Sequence, residues 1–101
     1  MSVTKVVWYR TNPQDADENA RLIREVFAER AAQQPDGLRY ASFRLEDGVS
    51  FVHVAVLDAD HNPLSDSAAF AKFQSGIKDR CADGPAASDA TVIGSYRFPA
   101  Q

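Results

Sequence analysis

A single tripeptide, Glu46-Asp47-Gly48, restricts the fold of this chain more than any other feature. It separates two stretches rich in β-branched and aromatic residues, 38–45 and 49–57. Asp-Gly is typical of a two-residue hairpin turn, because glycine adopts positive φ angles without steric cost. The two stretches are therefore predicted to be antiparallel strands. A two-residue turn places Ser42 opposite His53, whereas a three-residue turn shifts the pairing by one and exchanges the faces.

A strand and a helix are predicted before the hairpin. Residues 3–10 are rich in β-branched and aromatic side chains and are apolar on both faces, as in a strand covered on both sides. Asn12-Pro13 has the residue types of a helix start, since asparagine caps free amides and proline suits the first helical position. The helix is predicted to end near Gln34, before the turn signal Pro35-Asp36-Gly37. Its inner stripe recurs at spacings of three and four: Ala16, Ala20, Ile23, Phe27 and Ala31.

A second helix and a last strand are predicted after the hairpin. The polar segment 58–65 leads to a helix capped by Ser65 or Asp66 and broken by Gly84-Pro85. The inner stripe of this helix is predicted to be Ala69, Phe70, Phe73, Ile77 and Cys81. Residues 90–98 alternate in character and are predicted to form the final strand.

This order of elements predicts an α+β fold of the ferredoxin-like βαββαβ kind. Its four-stranded antiparallel sheet has the first and third strands at the centre and two helices on one face. The more aliphatic side of the hairpin is predicted to meet the helices: Ala41, Phe43, Val52, Val54 and Val56. The open side then carries Tyr40, Phe51, Ala55 and Leu57, together with His53. So large an apolar face needs a cover, and a homodimer through the open face is predicted.

Size and composition exclude several classes of function. The 101 residues suit one domain, 1–101. The net charge of −3 and the absence of a basic stretch argue against nucleic acid as a partner. No apolar run is long enough for a membrane span or a signal peptide. With Cys81 as the single cysteine, a cytoplasmic protein without disulfides is predicted.

Two segments and the order of elements resemble a known superfamily. The segments are Pro35-Asp36-Gly37-Leu38-Arg39-Tyr40 and Ala69-Phe70-Ala71-Lys72-Phe73, and the chain resembles the dimeric α/β-barrel superfamily, most closely its antibiotic biosynthesis monooxygenase-like group. The resemblance implies two sheets packed face to face into a barrel, with a pocket between sheet and helices in each subunit. Haem-degrading members of the superfamily hold haem through a histidine on the second helix. No histidine lies between Ser67 and Cys81, so neither haem nor another cofactor is expected.

His53 is the first candidate for chemistry, because the pKa of a histidine among apolar strand residues shifts easily with its surroundings. Its first explanation is a hydrogen bond within the dimer interface, and its second is a role as general base. Tyr40 and Trp8 are the other candidate catalytic residues. The candidate ligand-binding residues are aromatic side chains suited to a planar ligand and an arginine suited to an anion: Phe70, Phe73, Tyr96 and Arg44.

No metal site is predicted. Asp58-Ala59-Asp60-His61-Asn62 has carboxylates at alternate positions, as a calcium loop does. An EF-hand loop needs glycine at its sixth position and glutamate at its twelfth, where this chain has Pro63 and Ala69. The segment is therefore predicted to be a solvated connection.

Two classes of function fit these features. One is a cofactor-independent monooxygenase-like enzyme acting on a small aromatic or quinol-type substrate, as the resemblance implies. The other is a non-catalytic dimeric module that binds a small apolar ligand or has a structural role. The enzyme requires an enclosed cavity that touches His53, Trp8 or Tyr40. The module is expected to have a filled core instead, with His53 hydrogen-bonded within the dimer interface.

Overall fold

Four antiparallel strands form one sheet in the computed structural model, which describes residues 2–34, 37–58 and 62–97. The strands are β1 (Ser2–Thr11), β2 (Leu38–Arg44), β3 (Ser50–Asp58) and β4 (Cys81–Ala90), in the order β2-β3-β1-β4. β1 and β3 are central, as the order of elements predicts. The ferredoxin-like α+β fold is confirmed.

The helices connect these strands and pack on one face of the sheet. α1 (Ala16–Gln33) follows a 3-10 turn at Pro13–Asp15, α2 (Ala68–Ser75) follows a second 3-10 turn at Pro63–Asp66, and α3 (Ile77–Arg80) is a single turn. The buried side chains of α1 and α2 share one apolar cluster with residues of β1 and β3. Within the described residues, no helix is long and apolar enough to cross a membrane.

The start of the first helix differs from the prediction. The Asn12 side chain accepts no capping hydrogen bond. Its amide nitrogen instead donates to the Asp15 carboxylate at 3.3 Å and to the Asp79 backbone carbonyl at 3.2 Å. Asn12 therefore joins the start of the first helix to α3.

The cap of α2 also differs from the prediction. Ser67 caps this helix, rather than Ser65 or Asp66, since its Oγ accepts a hydrogen bond from the Phe70 amide at 2.9 Å. Pro63 begins a separate 3-10 turn, which occupies the two residues expected as caps. The α-helix therefore begins only after that turn has ended.

The hairpin has the predicted register. Ser42 of β2 pairs with His53 of β3. The Asp47 carboxylate stabilises the turn by accepting hydrogen bonds from the Ser50 hydroxyl and amide at 2.6 and 2.8 Å, and these bonds lower the pKa of Asp47. Gly48 has a φ of +79°, the conformation for which glycine is favoured at this position.

The two faces of the sheet are the reverse of the prediction. The residues expected on the open face lie beneath the helices: Phe51, His53, Ala55 and Leu57 are buried, and Tyr40 packs against the same core. The residues expected beneath the helices alternate with them and lie on the open face: Ala41, Phe43, Val52, Val54 and Val56. The prediction took the more aliphatic face to be the one beneath the helices. This criterion fails here because both faces are apolar. Polar groups are tolerated beneath the helices once they are hydrogen-bonded.

The last strand is Cys81–Ala90, not 90–98 as predicted. α2 ends at Ser75, and after Gly76 the single turn α3 carries the chain back to β1. The backbone carbonyl of Arg80 accepts a hydrogen bond from the Asn12 amide at 2.8 Å, which places the next residue beside the end of β1. Cys81 therefore begins the strand instead of extending the helix.

The composition of β4 explains why it was missed. Its sequence, CADGPAASDA, is small and polar, and residue types of this kind have little preference for strands. They suit an exposed edge strand, where proline is tolerated because it has no amide hydrogen to pair. The segment 91–97, which was expected to be the strand, has no regular structure and is exposed.

Candidate functional site

A cavity of about 540 Å³ lies between the sheet and α2, on the face that the helices cover. Tyr9 of β1 and His53 of β3 form part of its floor, Tyr40 of β2 lies beside them, and Phe70 and Phe73 of α2 line the opposite wall. The volume is within the range of small-molecule sites. Most of the other lining residues are apolar, so the cavity suits a ligand with a large apolar surface.

Aromatic rings hold His53 in place at the cavity floor. The ring centroids of Tyr9, Tyr40 and Phe73 lie 5.4, 5.9 and 5.5 Å from that of His53. Tyr40 also stacks on Phe27 of α1, with the ring centroids 4.8 Å apart. Rings in these arrangements restrict one another and leave flat apolar walls, which favours a planar ligand.

Both ring nitrogens of His53 have hydrogen-bond partners. Nε2 lies 2.8 Å from the Tyr9 hydroxyl oxygen. Nδ1 lies 2.7 Å from the Ser42 hydroxyl and 2.8 Å from the Tyr40 hydroxyl. Ser42 is the direct cross-strand partner of His53, so the hairpin register brings this pair together.

The network continues from Tyr9 towards the helices. The Asn19 side-chain amide donates to the Tyr9 hydroxyl at 2.8 Å, and the Arg80 Nε donates to the Asn19 carbonyl oxygen at 3.0 Å. Arg80 also donates to the backbone carbonyl of Phe73 at 2.7 Å, and its guanidinium lies 5.2 Å from the centre of the Phe73 ring. We call this set of residues the buried chain. It runs from Arg80 through Asn19 and Tyr9 to His53, and it ends at the hydroxyls of Ser42 and Tyr40, which both lie at Nδ1 of His53.

Burial determines the protonation of the site. It lowers the pKa of His53 to about 4, so the imidazole is neutral at pH 7. It raises the pKa of Tyr40 to about 12, and it raises the pKa of Tyr9 as well. All three groups are therefore uncharged near neutral pH, and the site offers hydrogen bonds rather than a formal charge.

Glu29 fixes the position of α2 over the cavity. Its carboxylate accepts a hydrogen bond from the Ser67 hydroxyl, which itself caps α2, and another from the Ala69 amide at 3.2 Å. The Ser67 hydrogen bond, followed by that from Arg30, lowers the pKa of Glu29. The carboxylate thus joins α1 to the first turn of α2, the helix that carries the aromatic wall.

Solved structures of proteins from other organisms share this fold. No protein-family model matches the sequence, and no curated protein matches it. A structure from Nitrosomonas europaea, provisionally named an antibiotic biosynthesis monooxygenase, matches with a TM-score of 0.73 at 12% identity over 97% of this chain and 92% of that chain. One from Bacteroides thetaiotaomicron with the same provisional name matches with a TM-score of 0.77 at 14% identity, over 91% and 90%. A protein from Mycobacterium tuberculosis matches with a TM-score of 0.68 at 18% identity, over 94% and 98%.

The chain has the fold of the antibiotic biosynthesis monooxygenase-like proteins. The resemblance noted in the sequence is therefore confirmed at the level of the fold. Identities of this size carry no substrate and no residue roles from one chain to another. The chemistry open to this chain depends on the residues of its own cavity.

The monooxygenase-like fold brings some of the predicted site residues together and separates others. Four of them line the cavity: His53, Tyr40, Phe70 and Phe73. Trp8 lies on the opposite face of the sheet from its neighbour Tyr9 and does not line the cavity. Tyr96 is 79% exposed in the irregular segment after β4.

Arg44 lies outside the cavity as well. It lines a second, more open depression of about 530 Å³ between α1 and β2. Its Nη2 pairs with the Asp17 carboxylate at 3.0 Å, and its Nε donates to the Gly48 backbone carbonyl at 2.8 Å. These contacts make Arg44 a support of the hairpin turn.

Three members of the site were not predicted from the sequence: Tyr9, Asn19 and Arg80. One signal was available for Asn19: it lies next to Ala20 and three residues after Ala16, on the apolar stripe of α1, where a polar side chain needs a buried partner. Arg80 carried no such signal, because its position depends on the break at Gly76. Tyr9 was predicted only as part of the strand 3–10, without a partner.

The described residues contain no group of three or more histidine, cysteine or acidic side chains that could hold a metal ion. The segment considered in the sequence analysis, 58–62, lies largely outside the described residues. Its last member, Asn62, is described, and its side-chain oxygen accepts a hydrogen bond from the Leu64 amide at 3.0 Å. That residue caps the 3-10 turn before α2.

Proposed function

We propose that this chain binds a small aromatic or quinol-type molecule in the cavity beneath α2 and oxidises it with dioxygen, without a bound cofactor. The observation that carries the proposal is the cavity of about 540 Å³, which has aromatic walls and hydrogen-bonding groups that converge at His53 and Tyr40. Such a site matches a planar substrate with a few oxygen atoms. The fold shared with the monooxygenase-like proteins supports the same class of reaction.

The chemistry needs only a substrate that supplies its own electrons. With anthrone as substrate, the ring CH₂ loses a proton to solvent, and the resulting carbanion gives one electron to dioxygen. Recombination of the two radicals forms a carbon–oxygen bond, and the peroxide takes up a proton. Loss of water then leaves a carbonyl group, so one anthrone and one dioxygen give one anthraquinone and one water.

The protein contributes by holding the substrate and stabilising its anion. An apolar, partly closed cavity strengthens each hydrogen bond made within it. A hydroxyl such as that of Tyr40 stabilises the oxygen atom on which negative charge develops as the substrate ionises. His53 is engaged on both nitrogens and its pKa is lowered to about 4, so we assign it to orient Tyr40 rather than to take the proton.

The proposal includes a homodimer through the open face of the sheet. The residues on that face are aliphatic or aromatic: Val6, Trp8, Phe43, Val52, Val54 and Val56. These are not the contacts expected from the sequence, since Tyr40, Phe51, Ala55 and Leu57 lie beneath the helices. Val92 and Ile93, which are 54% and 99% exposed beyond β4, add apolar surface that a second copy would cover.

Oxidation of anthrone tests the enzyme directly. The purified protein is mixed with anthrone in air-saturated buffer, and dioxygen uptake and anthraquinone formation are followed together. We expect equal molar amounts of both, at a rate well above buffer alone. Tyr40→Phe should lower the rate by about tenfold or more, the order of magnitude that one lost transition-state hydrogen bond costs.

Tyr96→Phe is the matched control, because it removes the same atom from an exposed residue outside the cavity. It should leave the rate unchanged. A wild-type rate equal to that of buffer rejects the enzyme. So does a Tyr40→Phe rate equal to that of the wild type, which would mean that the cavity is not the site.

A non-catalytic binding module is the second candidate, and one observation favours it. The hydroxyl of Tyr9 and both nitrogens of His53 already have partners within the protein, as in a purely structural network. The core is not filled, as the module was expected to have it, so only its ligand-binding form remains. This candidate predicts that anthrone binds in the cavity without being oxidised. Equilibrium dialysis alongside the rate measurement therefore separates the two candidates.

A further inference from the structure

The directions of the hydrogen bonds in the buried chain follow from the chemistry of its first two members. Arg80 can only donate, so the Asn19 atom that lies 3.0 Å from its Nε is the carbonyl oxygen. The Asn19 amide nitrogen also can only donate, and it points at the Tyr9 hydroxyl, 2.8 Å away. The Tyr9 oxygen is therefore the acceptor of this bond.

Tyr9 must in turn donate to His53. Tyr9 is 0% exposed, and its hydroxyl meets Nε2 of His53 at 2.8 Å. If Nε2 carried a hydrogen, both neighbours of the Tyr9 hydroxyl would be donors, and its own hydrogen would be buried without an acceptor. Such a buried donor loses its bond to water and gains nothing in return. Nε2 is therefore the acceptor, and the neutral imidazole carries its hydrogen on Nδ1.

At the end of the buried chain, the hydroxyl hydrogen of Tyr40 is not used in a bond to His53. Nδ1 faces the hydroxyls of Ser42 and Tyr40, and because Nδ1 is a donor, neither hydroxyl can donate to the ring. The Tyr40 oxygen lies 2.8 Å from Nδ1 and accepts from it, so the hydrogen of Tyr40 points away from the ring of His53. Tyr40 also lines the cavity, where that hydrogen is available to a ligand.

We propose that Asn19 and Arg80 are positioning residues, which act through the buried chain to make Tyr40 a hydrogen-bond donor to the cavity. The ligand is then recognised through an acceptor oxygen, such as a ring carbonyl or the oxyanion formed from it. The statement about the ligand rests on the proposed function. The statement about the direction of the chain does not, and the two are tested separately.

Nitrogen-15 NMR of histidine-labelled protein tests the direction of the chain. All samples carry His61→Gln, so that only His53 gives a signal, and spectra are recorded at pH 7. We expect the hydrogen on Nδ1 and a bare Nε2. A hydrogen on Nε2 in this otherwise wild-type protein overturns the proposal.

Asn19→Asp reverses the chain without changing its shape. A carboxylate at this position accepts from both Arg80 and Tyr9, so Tyr9 must accept from His53, and the hydrogen should move to Nε2. Gln14→Glu makes the same amide-to-carboxylate change at an exposed position and should leave the hydrogen on Nδ1. A folded Asn19→Asp protein that keeps the hydrogen on Nδ1 overturns the proposal.

Tyr9→Phe provides a second test if Asn19→Asp does not fold. Without the Tyr9 hydroxyl, Asn19 and Arg80 no longer influence which nitrogen of His53 carries the hydrogen. We expect both tautomers to be populated in this variant. A single Nδ1 tautomer would mean that Tyr9 does not transmit a preference, which contradicts the proposal.

Equilibrium dialysis of fluorenone and fluorene tests the statement about the ligand, because the two differ at a single ring carbon, which carries a carbonyl oxygen in fluorenone and two hydrogens in fluorene. We expect the wild type to bind fluorenone about fivefold more tightly, the effect of one net hydrogen bond. Tyr40→Phe should remove this preference. Asn19→Asp should reduce it below about twofold, because the reversed chain offers the Tyr40 hydrogen an acceptor at Nδ1 of His53.

The outcomes separate this inference from the proposed function. Equal affinity for the two probes, with anthrone still oxidised, overturns the inference about Tyr40 and leaves the enzyme standing. Fluorenone preference without oxidation of anthrone rejects the enzyme and supports the inference. If neither probe binds, the statement about the ligand is wrong together with the cavity as a binding site.

Discussion

The Tyr9 hydroxyl oxygen lies 2.8 Å from Nε2 of His53, although the two residues are not direct partners in the sheet. They lie on the two central strands. The direct partner of His53 is Val7, two residues before Tyr9 on the same face of β1. Both side chains are buried on the helix side. This contact connects the helix residues Asn19 and Arg80 to the cavity-lining groups. Changing it should therefore alter both the stability of the fold and the hydrogen bonds of the cavity.

The first prediction concerns the cost of breaking this contact. Tyr9→Phe should lower the free energy of unfolding by about 2 kcal/mol, because the Asn19 amide loses its acceptor and remains buried. Urea denaturation at a fixed protein concentration measures the change. Tyr96→Phe should change the free energy by less than about 0.5 kcal/mol, as exposed substitutions usually do. Equal stability of Tyr9→Phe and wild type would mean that the network contributes nothing to folding.

The second prediction concerns the pH dependence of stability. Burial lowers the pKa of His53 to about 4, below its ordinary value of 6.5, so the unfolded chain binds more protons between these two pH values. The free energy of unfolding should therefore rise from pH 4 to pH 6.5. The contribution of neutral His53 is fully present above pH 6.5 and is lost as the pH falls to about 4. The difference reaches about 3 kcal/mol at most.

His53→Gln isolates this contribution, because the carboxylates titrate alike in both proteins. Chemical denaturation across the pH range gives the stability of each, and the difference between wild type and variant should change mainly between pH 4 and 6.5. A difference that is constant with pH would mean that His53 titrates normally.

The third prediction concerns the open face of the sheet. Light scattering of the wild type should give a mass near twice 11.1 kDa. Val54→Glu places a charge in the middle of the proposed interface and should give a monomer, since an unpaired charge is too costly to bury there. Ala28→Glu adds the same charge on an exposed part of α1 and should leave the dimer intact. A wild-type monomer rejects the proposed interface.

The fourth prediction tests the position of β4. Gly84 has a φ of +85°, and a side-chain carbon at this position would lie 3.0 Å from the Trp8 backbone carbonyl oxygen. Gly84→Ala should therefore lower the free energy of unfolding by about 1–2 kcal/mol or more. Gly94, in the segment expected from the sequence to be the strand, has no such neighbour, and Gly94→Ala should have little effect. The opposite ranking in thermal or urea denaturation would indicate that the strand lies later in the chain.

Local chemistry made part of the fold predictable. The Asp47-Gly48 turn sets the register, because its backbone needs are met by residues within the turn itself, and Ser42 pairs with His53 as expected. The spacing of apolar residues predicted α1, whose buried residues include Ala16, Ala20 and Ile23. These features depend on neighbours along the chain, so the sequence alone carries enough information.

Only part of the site was predictable, because its assembly depends on contacts between residues that are distant along the chain. His53, Tyr40, Phe70 and Phe73 were named from residue type, and they line one cavity. Trp8 was named on the same grounds, but it lies on the other face of the sheet. Residue type indicates what a side chain can do, whereas its face depends on which side of the sheet the helices cover.

The sequence by itself thus determined the order of elements, the hairpin register and the fold class. Only the tertiary structure decided the face of the sheet that the helices cover and the start of β4 at Cys81. The physical reason is that both faces are apolar and β4 has little intrinsic preference for a strand. The choice therefore rests on distant partners. The Asn19 amide donates to the Tyr9 hydroxyl beneath the helices, and the Arg80 guanidinium in turn donates to the Asn19 carbonyl oxygen. The Asn12–Arg80 backbone hydrogen bond brings the last strand to the free edge of β1.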